Sequence, residues 1–110
     1  MCVFCEIIKG NIPSKKEFEN DEFIIINDVN PLAKHHYLAI PKHHYKYLCE
    51  MKDKDKQVLN NMMITIPSLQ QKLGLENGYR LIINQGDDAG QTVDHLHIHI
   101  IGGETLGWSK

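Results

Sequence analysis

The sequence lacks a long apolar run: its longest uninterrupted stretch, Phe23-Ile24-Ile25-Ile26, is far short of the roughly 20 residues a membrane span requires. It also lacks a basic N-terminal stretch followed by an apolar segment of roughly 7–15 residues, so no secretory signal is visible. Cysteine is sparse and odd in number, with three in 110 residues, which argues for a reducing compartment over a disulfide scaffold. The cytoplasm is the default expectation, and a nuclear pool is compatible with so small a chain. Charge of one sign is missing too. A formal net charge of −2 gives no global field for a nucleic-acid backbone or an anionic membrane, so neither is expected as a partner and a bound phosphate needs a local site. Repeats, low-complexity tracts and linkers are absent, and residues 1–110 read as a single domain.

What remains is an ordinary globular composition, 42% hydrophobic and 24% charged, long enough to bury a core. Cys5 to Lys9 suggests a short helix closed by Gly10. Lys16–Glu19 and Phe23–Asn27 read as strands around the turn-prone Asn20-Asp21, and Tyr37–Pro41 as a third. From Lys54 to Leu73, Val58, Leu59, Met62, Met63, Ile66, Leu69 and Leu73 recur every three or four residues, the stripe of an amphipathic helix. Pro67 should kink or split that helix. Its stripe fits burial against its own sheet and against a partner equally well. Tyr79–Asn84 and His95–Ile101 read as the last two strands, joined by the polar, glycine-bearing Gln85-Gly86-Asp87-Asp88-Ala89-Gly90. The expectation is an α+β domain: about five mostly antiparallel strands, one long helix and a short N-terminal helix.

All seven histidines fall in two short segments: His35, His36, His43 and His44, then His95, His97 and His99. In His95-Leu96-His97-Ile98-His99-Ile100, strict alternation puts three imidazoles on one face of a strand and aliphatic residues on the other. The aliphatic face should be core and the imidazole face a polar surface or cleft. A solvated face would draw more on Lys, Glu, Thr and Ser. A metal held by all three rings is strained, because same-face neighbours on a strand sit about 6.6 Å apart while metal–nitrogen bonds are close to ~2.0–2.1 Å. A substrate laid along the strand suits the row better. Imidazole is a competent nucleophile near neutral pH, and attack on phosphorus would divide one hard displacement into two easier ones.

His95-Leu96-His97-Ile98-His99-Ile100-Ile101 resembles the His-φ-His-φ-His-φ-φ signature of the histidine triad (HIT) family at every position. Gly90-Gln91-Thr92-Val93, Asn84, Phe4-Cys5-Glu6-Ile7-Ile8, Ile12-Pro13, Asp28 and Tyr37–Lys42 extend the likeness, toward the Hint branch of purine nucleoside phosphoramidases. The resemblance implies a HIT-like fold. It also implies hydrolysis of a purine nucleoside 5′-phosphoramidate or related adenylate through a nucleotidyl-histidine, releasing AMP or GMP. His97 would be the nucleophile, His99 would hold phosphate oxygens, and His36 matches a further active-site histidine. Thr92 would meet the phosphate near the leaving group, where the family usually has Ser; it keeps the hydroxyl on a stiffer side chain. Asn84, Gly90 and Gln91 would supply donors. Asp28 would accept the ribose hydroxyls, although its place before Asn30-Pro31 also suits a turn residue. Phe4, Ile7, Ile26, Val29 and Leu38 would form an apolar slot for the base, and each is equally compatible with plain core.

Cys2-Val3-Phe4-Cys5 has a spacing at which two thiolates grip one zinc ion, or it is a pair of reduced thiols near a frayed end. The zinc-bearing members of the family imply His44 and His95 as the other ligands of a structural Zn²⁺ site, with His43 the neighbouring alternative. No catalytic cofactor is expected. Family likeness also implies a homodimer in which the C-terminal segment, here carrying Trp108, reaches toward the partner's site. A nucleotide-holding regulatory or interaction module with little turnover is the alternative function. A nucleophile in line with phosphate is superfluous there.

Overall fold

The computed structural model describes residues 1–108. Its elements follow the chain as helix α1 (Val3–Ile8), strands β1 (Lys16–Glu19), β2 (Phe23–Asn27) and β3 (His35–Pro41), helix α2 (Lys56–Ser68), and strands β4 (Tyr79–Ile82) and β5 (Ile98–Gly102). The five strands form one antiparallel sheet in the order β1-β2-β3-β5-β4. The expected α+β architecture is therefore present, with every pairing antiparallel.

Residues directly opposite in a ladder share a face, so the registers assign the two sides of the sheet. Ile25↔Ala39 and Tyr37↔Ile100 lie on one side, where Phe23, Ile98, Met62, Ile66, Leu73 and Leu75 complete a core beneath α2. Ile24↔Ile40 and Ile26↔Leu38 lie on the other, covered by Phe4 and Ile7 of α1. His99 pairs with Leu38 and therefore belongs to the α1 side, as does His36 two residues along β3. Both faces of β2, and of β3 from Tyr37 onward, are thus apolar.

Several boundaries differ from the sequence expectation. Helix α1 starts at Val3 rather than Cys5, because the Cys2 sulfur caps it by accepting the Cys5 N–H at 3.4 Å; Gly10, at φ +84°, ends it as expected. Strand β3 begins two residues early. Helix α2 is shorter than Lys54–Leu73: a 3₁₀ turn at Asp53–Asp55 precedes it, and it stops at Ser68, with Pro67 inside its last turn and costing one i→i−4 bond there. Strand β4 ends at Ile82.

The largest correction concerns the histidine segment. Only Ile98–Gly102 is paired, and His95 and His97 sit in an extended approach to β5. The pairing stops because Pro41 has no N–H to give, its carbonyl takes the His95 ring nitrogen at 2.8 Å, and the Leu96 N–H turns to the Tyr45 carbonyl at 2.6 Å. The three rings do not line an open face either: His95 is 0% and His97 5% exposed. No helix among the described residues is long and apolar enough to cross a membrane.

Gly102 shows how closely β5 packs. A Cβ there would lie 2.7 Å from Leu75 Cδ2 and 2.9 Å from the Gly78 carbonyl oxygen, a backbone atom that cannot swing away. Gly102→Ala is expected to cost about 1–3 kcal/mol in urea unfolding. Gly107→Ala, where a Cβ meets nothing within 4 Å, should stay within about 0.5 kcal/mol.

Candidate active site

The backbone dictates which nitrogen of each ring carries its proton. His97 Nδ1 lies 2.7 Å from the His95 carbonyl oxygen, an acceptor only, so Nδ1–H donates and the Nε2 lone pair of the neutral ring is left free. No described residue occupies that Nε2. The ring itself is held by the edge of Phe4, 5.1 Å between centroids at 74°, and by His99 at 5.0 Å. His95 is fixed in the same way: its Nε2–H donates to the Pro41 carbonyl, and Nδ1 keeps its lone pair. Alternation therefore produces adjacent same-side rings that present their lone pairs from opposite nitrogens.

His36 is set by a donor instead. The Leu32 N–H points into His36 Nδ1 at 3.1 Å, so that nitrogen is unprotonated and Nε2 bears the proton. Nε2 faces His99 Nδ1 at 2.9 Å and Asp28 Oδ2 at 3.3 Å. Burial holds both rings below the ordinary histidine range, His36 against the opposing pull of Asp28. For His99, burial acts first, then the neighbouring His97 and His36, and its pKa falls to about 4. The donor atoms of Asp28, His36 and His99 lie within 4.8 Å of one another. They do not suit a cation, because a His36 Nε2 ligand would need its proton on Nδ1, against the Leu32 N–H.

A second cluster does suit one. Ligand atoms of Cys2, Cys5, His44 and His95 also lie within 4.8 Å of one another, with Cys5 Sγ 3.1 Å from His44 Nδ1 and Cys2 Sγ 3.4 Å from His95 Nδ1. Two thiols and two imidazoles converging at these spacings match the edges of a tetrahedron built on zinc bond lengths. The His95 Nε2–H···O=C bond is the outer support that orients a ligating imidazole. His44, not His43, faces the cysteines; His43 packs on Tyr45, 4.6 Å between centroids. Cys49 is exposed and outside the cluster.

The remaining expected residues are distributed unevenly. Phe4, Ile7, Ile26 and Leu38 form one buried cluster on the α1 side, but Val29 is 87% exposed and stands outside it. Asp28 does serve its turn, Oδ1 accepting the Asn30 N–H at 2.8 Å, while Oδ2 faces His36. Gln91 spends its side chain on the loop: Oε1 accepts the Gly86 N–H at 2.8 Å, and Nε2 donates to the Lys46 and Val93 carbonyls. Gly90 closes the 3₁₀ turn Asp87–Ala89 in the left-handed region, and Asn84 is half-buried at the loop's entry. Thr92 lines a cavity of about 520 Å³ with Met1, Cys2, Val3, His44 and Asp94, next to the cysteine–histidine cluster. A larger cavity of about 600 Å³, lined by Lys34, His35, Glu76, Arg80 and Glu104 among others, contains none of the triad. Trp108 is 93% exposed, its ring 5.6 Å from the Arg80 guanidinium carbon.

Sequence reasoning missed Leu32 and Gln85. The Leu32 amide acts through its backbone and leaves no residue-type signal. Gln85 accepts the Leu48 N–H at 2.7 Å and donates to the Asn84 carbonyl, tying the loop to the segment before α2.

Residues 1–108 match the family model described as the scavenger mRNA decapping enzyme C-terminal binding domain. An uncharacterized HIT-like protein of Chlamydia muridarum is 43% identical over 105 residues, covering 96% of this chain and 83% of that protein. A HIT family hydrolase of Clostridium thermocellum superposes with a TM-score of 0.92 at 43% identity, over 98% of this chain and 95% of the other. A histidine triad nucleotide-binding protein of Candida albicans gives 0.84 at 34%, over 100% and 84%. A zinc-bound histidine triad family protein of Mycobacterium smegmatis gives 0.80 at 32%, over 94% and 75%. With a family model matching nearly the whole chain, a relative at 43% identity over 96% of it and the fold in common with these proteins, the chain belongs to the histidine triad family.

Proposed function

We propose that the chain is a nucleotide hydrolase of the Hint kind, cleaving the P–N bond of purine nucleoside 5′-phosphoramidates or related adenylates. The observation that carries this reading is the 2.7 Å bond from His97 Nδ1–H to the His95 carbonyl, which leaves Nε2 as a free, oriented lone pair in a nearly water-free place. Nε2 attacks the α-phosphorus and forms a P–N bond to the ring as the bond to the leaving nitrogen breaks. The leaving nitrogen departs as an amine after taking a proton from solvent. Water then attacks the same phosphorus, releasing AMP or GMP and a proton and restoring the imidazole. The hydrolase and nucleotide-binding descriptions of the C. thermocellum and C. albicans structures support the reaction class.

The other residues take roles suited to their chemistry. His99, kept neutral by burial, donates from Nε2 to a phosphate oxygen, and the Thr92 hydroxyl meets the phosphate on its leaving-group side. Asn84 and the backbone of Gly90 and Gln91 add donors along the loop, with Gln91 also holding its shape. Asp28 accepts the ribose hydroxyls. Phe4, Ile7, Ile26 and Leu38 offer the apolar wall on which the base lies, with Val29 at its rim. Cys2, Cys5, His44 and His95 hold a structural zinc ion, which pins the N-terminus beside the catalytic segment and supplies no step of the reaction. The exposed apolar residues Met63, Ile64 and Trp108 are consistent with a homodimer that covers them.

His97→Ala should lower turnover of adenosine 5′-phosphoramidate by about a thousandfold or more while AMP binding by calorimetry survives. Wild-type turnover in that variant would remove the nucleophile assignment. Metal analysis of the purified protein should return one zinc per chain for the wild type and little for Cys5→Ser, with a lower melting temperature for the latter. Acid should destabilise the fold through His99, whose native pKa of about 4 lies below the ordinary 6.5. Between those values the unfolded chain binds a proton that the native ring refuses, so stability is complete above pH 6.5 and is lost as pH falls toward 4. Denaturation measured across this window should therefore slope less steeply for His99→Asn than for the wild type.

A further inference from the structure

We infer that the one Nε2 proton of His36 links the sugar-facing Asp28 to the phosphate-facing His99, so that a ribose diol speeds the chemical step as well as aiding binding. The inference rests on the roles proposed above for Asp28 and His99, and it makes His36 a positioning residue.

The argument begins with a count of protons. The Leu32 N–H occupies His36 Nδ1, so the neutral ring has a single donor, Nε2–H. Two acceptors compete for it: His99 Nδ1 at 2.9 Å and Asp28 Oδ2 at 3.3 Å. The first is closer, but the second carries charge and is the stronger acceptor at equal distance. Water does not reach the His36 side chain, which is 1% exposed, whereas Asp28 keeps 18% and is open to solvent or a ligand. The other carboxylate oxygen of Asp28 is already taken by the Asn30 N–H, so Oδ2 is the one left for a ligand.

A nucleoside with both ribose hydroxyls brings two donors to Asp28. They satisfy Oδ2 and withdraw its demand on the His36 proton, which then goes wholly to His99 Nδ1. His99, receiving a hydrogen bond at Nδ1, is held with its own proton on Nε2, the tautomer that donates to a phosphate oxygen. Without the diol, Asp28 shares the His36 N–H and weakens its hold on His99 Nδ1, so His99 is fixed less firmly in the Nε2–H tautomer. The opposite tautomer presents a lone pair to the phosphate, which repels. Sugar recognition and phosphate activation are thus joined through a shared hydrogen, with no movement of the fold.

Two substitutions separate this from mere packing. His36→Gln places an amide bearing two N–H groups where the ring had one, so His99 and Asp28 can both be served and the competition disappears. His36→Leu removes the donor altogether. With the zinc-loaded, full-length wild type, kcat for adenosine 5′-phosphoramidate should exceed that for its 2′,3′-dideoxy counterpart by roughly 3- to 10-fold, the worth of one such hydrogen bond. In His36→Gln the kcat ratio should close toward one while the difference in KM persists, and His36→Leu should lower kcat for both substrates to a common value. A kcat ratio in the glutamine variant equal to that of the wild type overturns the inference.

Nitrogen-15 spectra of the histidine side chains decide the tautomers without any turnover. His36 should be protonated at Nε2, and adenosine should drive His99 toward the Nε2–H form where 2′,3′-dideoxyadenosine does not. Identical His99 spectra with the two nucleosides, or a proton on His36 Nδ1, would sink the link. If the phosphoramidates are not hydrolysed at all, the proposed activity falls while the spectra still judge the coupling.

Discussion

Three backbone groups govern this site: the carbonyls of His95 and Pro41 and the amide of Leu32. Each engages one nitrogen of one imidazole and thereby decides what the opposite nitrogen can do. Imidazole has no fixed polarity of its own, since either nitrogen of the neutral ring can be donor or acceptor. A carbonyl at Nδ1 makes His97 a lone-pair bearer at Nε2, a carbonyl at Nε2 makes His95 a lone-pair bearer at Nδ1, and an amide at Nδ1 makes His36 a donor at Nε2. Chemically identical side chains acquire separate roles without any charged residue assigning them. The carbonyls can do this because they lie where the β3–β5 pairing has ended and strand partners no longer claim them.

The cysteine–histidine cluster and the triad are continuous with that same stretch of chain. His95 belongs to the first and its carbonyl orients the second, so anything that holds the His95 ring also holds the acceptor for His97. Phe4, one residue before Cys5, presses its edge on both rings, at 5.8 and 5.1 Å between centroids. Anchoring of the N-terminal helix and orientation of His97 are therefore mechanically one problem. Removal of the cluster's ligands would be felt at His97 Nε2 through the chain from His95 to His97 and through the Phe4 contact.

Much of the fold was legible because its signals are local. The β-branched run Phe23–Asn27 and the turn-prone Asn20-Asp21 beside Lys16–Glu19 set β1 and β2 to the residue, and Gly10 marked the end of α1 through a backbone angle that other residues rarely adopt. The errors lie where a distant group overrode a local pattern. Alternation continues through His95-Leu96-His97 because the chain there is extended, but Pro41, 54 residues away from His95, ends the pairing. The burial of His95 and His97 was equally hidden, since the ring of Phe4 and the carbonyl of Pro41 that cover them come from other elements. The histidines of the site could be named from their spacing and from family likeness. Their protons could not, because a tautomer depends on which backbone group lies opposite.

The pairing of His36 with His99 shows where sequence patterns stop and geometry begins. Across the β3–β5 ladder His36 stands opposite Ile101 and His99 opposite Leu38, so the two rings meet on a diagonal of the α1 face. A register shifted by one residue would turn the rings of one strand to the opposite side of the sheet, His99 into the core beneath α2 and away from Asp28. Ile24, Ile26, Leu38 and Ile40 on one face and Ile25, Ala39, Ile98 and Ile100 on the other leave no polar position to accommodate that shift. The apolar residues therefore do more than fill the interior. By excluding every other register they bring two imidazoles to 2.9 Å, and they make an arrangement of hydrogen bonds follow from the burial of isoleucine.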